Sequence, residues 1–147
     1  MTRIALEGIT LLADDVAAMG AFFEDVLGFE VAVRESDYLA LANDGVRLAV
    51  FRRAGLADHT NGHPSFTSPR GGQAVELNFE CDSPAEVATE FDRIIAAGGT
   101  EIARPTVQAW GHFTGFFGDP AGNIHSLFAV IPVEERPAPG ERATPPA

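Results

Sequence analysis

The chain has 147 residues, of which 46% are hydrophobic, and it carries a formal net charge of −11 with no lysine. This composition predicts one soluble globular domain with a hydrophobic core, and no apolar run reaches the roughly 20 residues that a membrane span needs. An acidic surface repels phosphate backbones and anionic lipids. We therefore expect a neutral or cationic small molecule as partner, and neither nucleic acid nor a membrane.

The opening stretch "MTRIALEGIT" contains one arginine and no long apolar region, so we expect no signal peptide. A single cysteine, Cys81, excludes an internal disulfide and a cysteine-rich zinc site. Together these features predict a cytoplasmic protein.

The first half of the chain reads as strand, helix and three strands. An apolar strand, "RIALEGITLLA", precedes a helix that Asp14 or Asp15 caps and Gly28 ends, with Val16, Met19, Phe23 and Val26 at helical spacing. Three strands are then predicted in "FEVAVRE", "YLALA" and "VRLAVFRR". The "NDG" at 43–45 predicts a hairpin between the last two.

The second half repeats this order. A strand is predicted at 74–81, followed by a helix with Ser83 as N-cap, Pro84 at the first helical position and Glu86 completing a capping box. Strands follow in "TEIARPTV", "GHFTGFF" and "IHSLFAV". The repeated order indicates an internal duplication of one supersecondary unit.

We therefore divide the chain into one domain, 1–131, and a Pro-rich C-terminal tail, 132–147. Within the domain, module one covers 1–53, a Gly-, Ser- and Pro-rich linker covers 54–73, and module two covers 74–131. The tail has no helical or strand period, so we interpret it as mobile or as an arm laid over a neighbour.

Three stretches resemble the vicinal oxygen chelate superfamily, which contains glyoxalases, extradiol dioxygenases and bleomycin-resistance-type proteins. They are "LLADDVAAMGAFFEDVLGFEV", "VELNFECDSPAEVATEFDRIIAAGGTEI" and "WGHFTGFFGDPAGNIHSL". The resemblance implies an α+β fold of two tandem βαβββ modules. Each module would curl a mixed sheet around a ligand cleft, and a homodimer, side by side or domain-swapped, would be common.

Enzymes of that superfamily hold a divalent metal ion with His, Glu or Gln side chains that project into the cleft. The resemblance assigns these places to Gly8, to Arg47 or Ala49, to Glu76 and to Ser126. Only Glu76 is a metal ligand, whereas catalytic metal sites usually use about three protein ligands. We therefore predict no metal and no other cofactor.

His125 is the neighbour of Ser126 on the last predicted strand. Because side chains alternate across a strand, Ser126 and Phe128 would face the cleft, and His125 would face the helices. We interpret His125 as a partly buried, hydrogen-bonded residue. A register error would instead make it a ligand.

A cleft without a metal still binds through shape and aromatic surface, with a few polar groups for orientation. The "WG" pair at 110–111 is frequent in the related binding proteins. The predicted ligand-binding residues are Tyr38, Phe51, Phe66, Glu76, Asn78, Trp110, His112, Phe113 and Ser126.

The first hypothesis is a non-catalytic protein of the bleomycin-resistance type, which sequesters an aromatic, antibiotic-like natural product. The alternative is a metal-dependent lyase, isomerase or oxidoreductase of the glyoxalase or dioxygenase type, with Glu7, Glu76 and His125 as ligands and His112 as base. A third possibility is a metal-free enzyme that uses His112 or Glu76 as general base.

Overall fold

The computed structural model describes residues 6–67, 73 and 75–138, which belong to two compact units, 1–72 and 73–147. Each unit contains one four-stranded mixed sheet with helices, which confirms the predicted α+β fold. No helix among the described residues is long and apolar enough to cross a membrane. Residues 139–147, most of the predicted tail, lie outside the described residues.

The first unit has the strands β1 (Gly8–Ala13), β2 (Val31–Arg34), β3 (Tyr38–Leu41) and β4 (Arg47–Arg52). Their order in the sheet is β1-β4-β3-β2, and β1 lies parallel to β4. Helix α1 (Val16–Ala21) follows β1. The first and last strands of the module, β1 and β4, are therefore direct neighbours, and β3 and β2 continue the sheet in antiparallel order.

Helix α1 begins where Asp15 accepts a hydrogen bond from the Ala18 N–H at 2.9 Å, so Asp15 is the cap. The prediction of one regular helix was wrong beyond Ala21. A π-helical turn, Phe22–Val26, follows, and both Phe22 and Phe23 are buried. The hydrogen bonds of a π-helical turn span one residue more than those of an α-helix, so the 3.6-residue pattern does not predict such a turn.

The predicted linker contains two short helices, α2 (Arg53–His59) and α3 (Pro64–Thr67). Its composition predicts a loop, but "RAGLADH" includes good helix formers. The chain turns between the two helices with positive φ at Asn61 (55°) and Gly62 (67°). Residues 68–72 of the linker lie outside the described residues.

The second unit has the strands β5 (Asn78–Glu80), β6 (Thr100–Val107), β7 (His112–Gly118) and β8 (Ile124–Val130). Their order is β5-β8-β7-β6, with β5 parallel to β8. Helix α4 (Pro84–Ala96) connects β5 to β6. The topology of the first unit therefore recurs in the second, as an internal duplication requires.

Strand β5 is shorter than the predicted strand at 74–81, of which residue 74 lies outside the described residues, and a side chain bonds to β8 ahead of it. The amide group of Gln73 accepts from the Ile124 N–H at 2.6 Å and donates to the Ile124 carbonyl at 2.6 Å. These are the two bonds that a backbone partner would make to β8. Regular pairing begins only at Asn78, opposite Ser126.

Helix α4 starts at the predicted cap, where Ser83 Oγ accepts from the Glu86 N–H at 3.2 Å. The Glu86 carboxylate accepts from the Asp82 N–H at 2.8 Å, so the reciprocal bond reaches one residue further back than in a capping box. Val87, Phe91 and Ile94 form its buried stripe.

Gly115 on β7 is required by the packing of α4. A Cβ atom at this position would lie 2.8 Å from Phe91 Cδ2 and 2.8 Å from Pro105 Cγ. The helix therefore contacts the sheet through the space that the missing side chain leaves.

We expect Gly115→Ala to lower the free energy of unfolding by about 1–3 kcal/mol, because the added methyl group overpacks a filled core. Urea denaturation measures this change. Combining it with Phe91→Leu, which removes ring atoms at the clash, should cost less than the sum of the two single changes. Strict additivity would contradict this account of the contact.

Candidate functional site

A groove of about 420 Å³ opens on the face of the second sheet opposite to α4. Its volume lies within the range of small-molecule sites in proteins. The residues that line it are Glu76, Asn78, Trp110, His112, Thr114, Phe116, Ser126 and Phe128.

Strand alternation builds the groove. On β7, His112, Thr114 and Phe116 line it, while Phe113 and Phe117, which follow His112 and Phe116, are buried on the opposite face. The pairing register places Thr114 opposite Phe128 and Phe116 opposite Ser126. The two strands therefore contribute to one continuous wall.

One end of the groove is aromatic. The His112 ring stacks on Phe128 with a centroid distance of 4.7 Å and an angle of 10° between the planes. Trp110 contacts the His112 ring edge-on at 6.5 Å and is 60% exposed. A large aromatic ring that the protein does not itself cover is a surface for a ligand to stack on.

The other end is polar. The Ser126 hydroxyl donates to Asn78 Oδ1 at 2.7 Å, which leaves the Asn78 side-chain N–H groups for another acceptor. The exposed Glu76 lines the same groove, and no arginine in the described part of the chain forms an ion pair with it. The groove therefore presents a negative charge that a cationic ligand can neutralise.

Five of the predicted binding residues line this groove, namely Glu76, Asn78, Trp110, His112 and Ser126. The prediction for Phe113 needs correction. Phe113 is 2% exposed and follows His112 directly on β7, so alternation places it in the core on the other face.

Three further predicted residues lie in the first unit and do not line this groove. Tyr38 and Phe51 are paired across β3 and β4, with ring centroids 6.2 Å apart. The Tyr38 hydroxyl also accepts a hydrogen bond from Arg47. Phe66 lies on the short helix α3.

Thr114 lies between His112 and Phe116 in the floor of the groove and was not among the predicted residues. It is neither aromatic nor titratable, so its residue type gave no signal. Counting every second residue from His112 along the predicted strand would have found it.

The first of the alternative metal ligands, Glu7, is occupied by an arginine. Arg47 donates from Nε and Nη2 to the Glu7 carboxylate at 2.8 and 3.1 Å, and from Nη1 to the Tyr38 hydroxyl at 2.8 Å. The hydrogen bond from Arg47 lowers the pKa of Glu7. The guanidinium lies over Gly8, where a Cβ atom would be 2.8 Å from Arg47 Nη2.

The third alternative ligand, His125, has both ring nitrogens engaged. The Leu77 N–H donates to Nδ1 at 3.2 Å, which leaves the ring proton on Nε2 to donate to Asp119 Oδ2 at 2.7 Å. His125 is fully buried between the rings of Phe79 and Phe117. It has no nitrogen left for a metal ion.

No group of three or more His, Cys, Asp or Glu residues within 6–67, 73 and 75–138 could hold a metal ion. Glu76 alone supplies a carboxylate to the groove. The residues present therefore do not fit a divalent ion coordinated by Glu7, Glu76 and His125.

Cys81 does not offer a nucleophile. Burial, followed by the neighbouring charges of Glu86, Glu90 and Asp82, raises its pKa to about 11. The side chain therefore stays a thiol at neutral pH, and the thiolate is the reactive form.

Comparison with known proteins finds one matching protein family and many similar solved structures. The model of the Glyoxalase/Bleomycin resistance protein/Dioxygenase superfamily matches residues 5–126. No curated protein matches the chain. A glyoxalase/bleomycin resistance protein/dioxygenase from Nocardioides is similar over 97% of this chain and 92% of its own, with 26% identity and a TM-score of 0.75.

Two further similar structures differ in what their names state. Lactoylglutathione lyase from Agrobacterium tumefaciens has 23% identity and a TM-score of 0.64, over 88% of this chain and 96% of its own. TioX from Micromonospora sp. ML1 has 19% identity and a TM-score of 0.59, over 86% of this chain and 99% of its own. At these identities the likeness shows the shared fold.

The buried pair of Asp119 and His125 makes the free energy of unfolding depend on pH. Burial alone would raise the pKa of Asp119, but hydrogen bonds from His125 and Asn123 outweigh it and lower the pKa below its ordinary 3.8. The carboxylate therefore stabilises the fold above that value. This contribution is lost as the pH falls through the lowered pKa of the folded state.

We expect Asp119→Asn to lower the free energy of unfolding at pH 7 by about 1–3 kcal/mol, because the bonds to a buried charge are weakened. The difference from the unaltered protein should shrink below about pH 4. Urea denaturation between pH 7 and pH 3 measures it. Asp92→Asn, which breaks an exposed ion pair with Arg104, is the control and should cost under about 1 kcal/mol. A penalty that is equal at every pH would contradict the assignment.

Proposed function

The chain belongs to the Glyoxalase/Bleomycin resistance protein/Dioxygenase superfamily, and we propose that it binds and sequesters a planar aromatic small molecule without transforming it. The observation that carries this proposal is the exposed Trp110 ring beside the His112–Phe128 stack, in a groove that also contains Glu76. The ligand class is aromatic and cationic, as in many antibiotic-like natural products.

The aromatic end supplies most of the binding free energy. Each aromatic pair contributes about 0.5–1.5 kcal/mol beyond the burial of apolar area. A ligand ring over Trp110 would also cover a side chain that is 60% exposed. Because the rings of His112 and Phe128 are already stacked, little side-chain entropy remains to be lost when a ligand binds.

The charge of the protein favours a cation over an anion. The net charge is −11, and Glu76 lines the groove itself. Long-range attraction raises the local concentration of a cationic ligand, and the carboxylate of Glu76 gives its charged group a fixed partner. An anionic aromatic molecule of the same shape would meet repulsion from both sources.

The proposal includes the homodimer that the family resemblance implies, acting in the cytoplasm. Sedimentation equilibrium of the full chain tests the assembly, and a mass of twice the 15.6 kDa of one chain is expected. A monomer at micromolar concentration would remove the dimer from the proposal but leave the groove of the second unit as described.

A metal-dependent lyase, isomerase or dioxygenase is the competing function, and Glu76 is the residue that favours it. Under that alternative, an ion would be essential for ligand binding or turnover. A metal-free enzyme with His112 or Glu76 as general base is separated from the binder by product analysis after prolonged incubation with each bound ligand.

We expect an anthracene with an aminopropyl arm to quench the emission of Trp110, the single tryptophan, and an anthracene with a carboxypropyl arm to bind more weakly. Trp110→Ala should weaken binding of the amine roughly three- to tenfold by calorimetry, since one stacking pair is lost. Glu76→Gln should weaken it up to roughly fivefold, because the partner of an exposed ion pair is lost.

Glu35→Gln is the matched control, because it removes the same charge from an exposed turn outside the groove. It should leave the affinity for the amine within error of the unaltered protein. If none of a panel of aromatic amines and glycopeptide antibiotics binds at tens of micromolar, the proposed function is wrong.

Removal of metal ions should not change ligand binding. We expect protein purified without chelator to contain far less than one divalent ion per chain by mass spectrometry, and EDTA to leave the aminopropyl-anthracene affinity unchanged. About one tightly held ion per chain, lost in the Glu76→Ala variant, would favour the metal-dependent enzyme instead.

A further inference from the structure

The hydroxyl group of Thr114 is buried without a partner. Thr114 is 4% exposed, and its Oγ1 atom has no hydrogen-bond partner among the residues that the structure describes. Nearly all buried polar groups in folded proteins are hydrogen-bonded, because an unpaired one keeps its full desolvation penalty. The protein alone leaves this penalty unrelieved in a residue that lines the ligand groove.

Thr114 lies at the centre of the groove floor. His112 and Phe116 flank it along β7, and Phe128 and Thr106 are its partners on the neighbouring strands. From His112 to Phe116 the strand rises about 13 Å, at roughly 3.3 Å per residue. A flat ligand that spans the aromatic and polar ends must therefore cross Thr114.

The hydroxyl can reach such a ligand through a simple rotation. The hydroxyl, the methyl group and a hydrogen share the Cβ atom of threonine, so a step of χ1 to another staggered rotamer carries the hydroxyl into the place of the methyl group or of the hydrogen. In the unliganded groove, the hydroxyl stays buried in the observed rotamer and keeps its desolvation penalty. With a polar ligand atom above it, the rotamer that presents the hydroxyl becomes the more favourable one.

The other polar groups decide whether this hydroxyl donates or accepts. The Glu76 carboxylate can only accept, and the Ser126 proton is already donated to Asn78. The polar end therefore offers acceptors in Glu76 and Ser126, and donors in the remaining Asn78 N–H groups. Among the described residues that line the centre of the floor, the donor that is available is Thr114.

The geometry points to Thr114 as the residue that determines specificity in this groove, by donating a hydrogen bond to an acceptor midway along the edge of the ligand's ring system, whose in-plane lone pair points at the floor. A ring nitrogen or a ring carbonyl is the acceptor class that fits. The inference rests on the proposed function, because it narrows the same ligand from aromatic amines in general to those with a central acceptor.

Two probes of equal shape test it, an anthracene and an acridine that carry the same aminopropyl arm and differ by one ring nitrogen. At pH 8, calorimetry on the full chain should show the acridine bound roughly five- to tenfold more tightly, as expected for one hydrogen bond gained. Thr114→Val should reduce this ratio to about one. Thr114→Ser, which keeps the hydroxyl, should retain the preference.

Thr106→Val is the matched control, because it makes the same change at the neighbouring residue on β6, which does not line the groove. It should leave the ratio as in the unaltered protein. Thermal unfolding without ligand gives a second measurement. Thr114→Val should melt no lower than the unaltered protein, since it removes an unpaired buried hydroxyl.

The outcomes separate this inference from the function on which it rests. If both probes bind the unaltered protein equally well, or if Thr114→Val keeps the preference, the aromatic-binding function stands and the role of Thr114 is wrong. If neither probe binds, the proposed function and the inference fall together. A Thr114→Val variant that loses both probes equally would overturn the inference by showing a role in shape rather than in hydrogen bonding.

Discussion

The alternation of side chains along β8 is the constraint on which the candidate site depends. His125 and Ser126 are neighbours on this strand, and they face opposite sides of the sheet. The bonds of His125 to Asp119 and to the Leu77 N–H fix which side is the core. A slip of one residue would bring a buried, bonded imidazole into the groove and carry Ser126 into the core, so the register is specified strongly.

The sequence predicted most of this architecture because local signals and tertiary structure agree there. The Ser83 cap and the strands β6 and β8 lie where capping, hydrophobic pattern and turn signals placed them. The failures have tertiary causes. The π-helical turn after Ala21 buries the adjacent Phe22 and Phe23, and the side chain of Gln73 takes the place of a strand partner ahead of β5.

The sequence predicted which face of a strand lines the candidate site, but it did not predict the individual side-chain contacts. Selection by residue type gave Trp110 and His112, which line the groove. It also gave Phe113, which side-chain alternation along β7 places on the buried face. The same preference for aromatic residues passed over Thr114, whose significance lies in a missing hydrogen bond that only a three-dimensional structure can show. The stacking of His112 on Phe128, between residues on different strands, depends on a register that local patterns do not fix.

In the first unit, the place of a metal ligand in the related enzymes is filled by an ion pair. The family resemblance places a metal ligand at Gly8, but the Arg47 guanidinium already lies there, held by Glu7 and Tyr38. A side chain at Gly8 would lie against the end of the exposed Arg47 side chain, so this guanidinium would have to shift relative to Gly8. A fixed positive charge also opposes the entry of a divalent ion by direct repulsion.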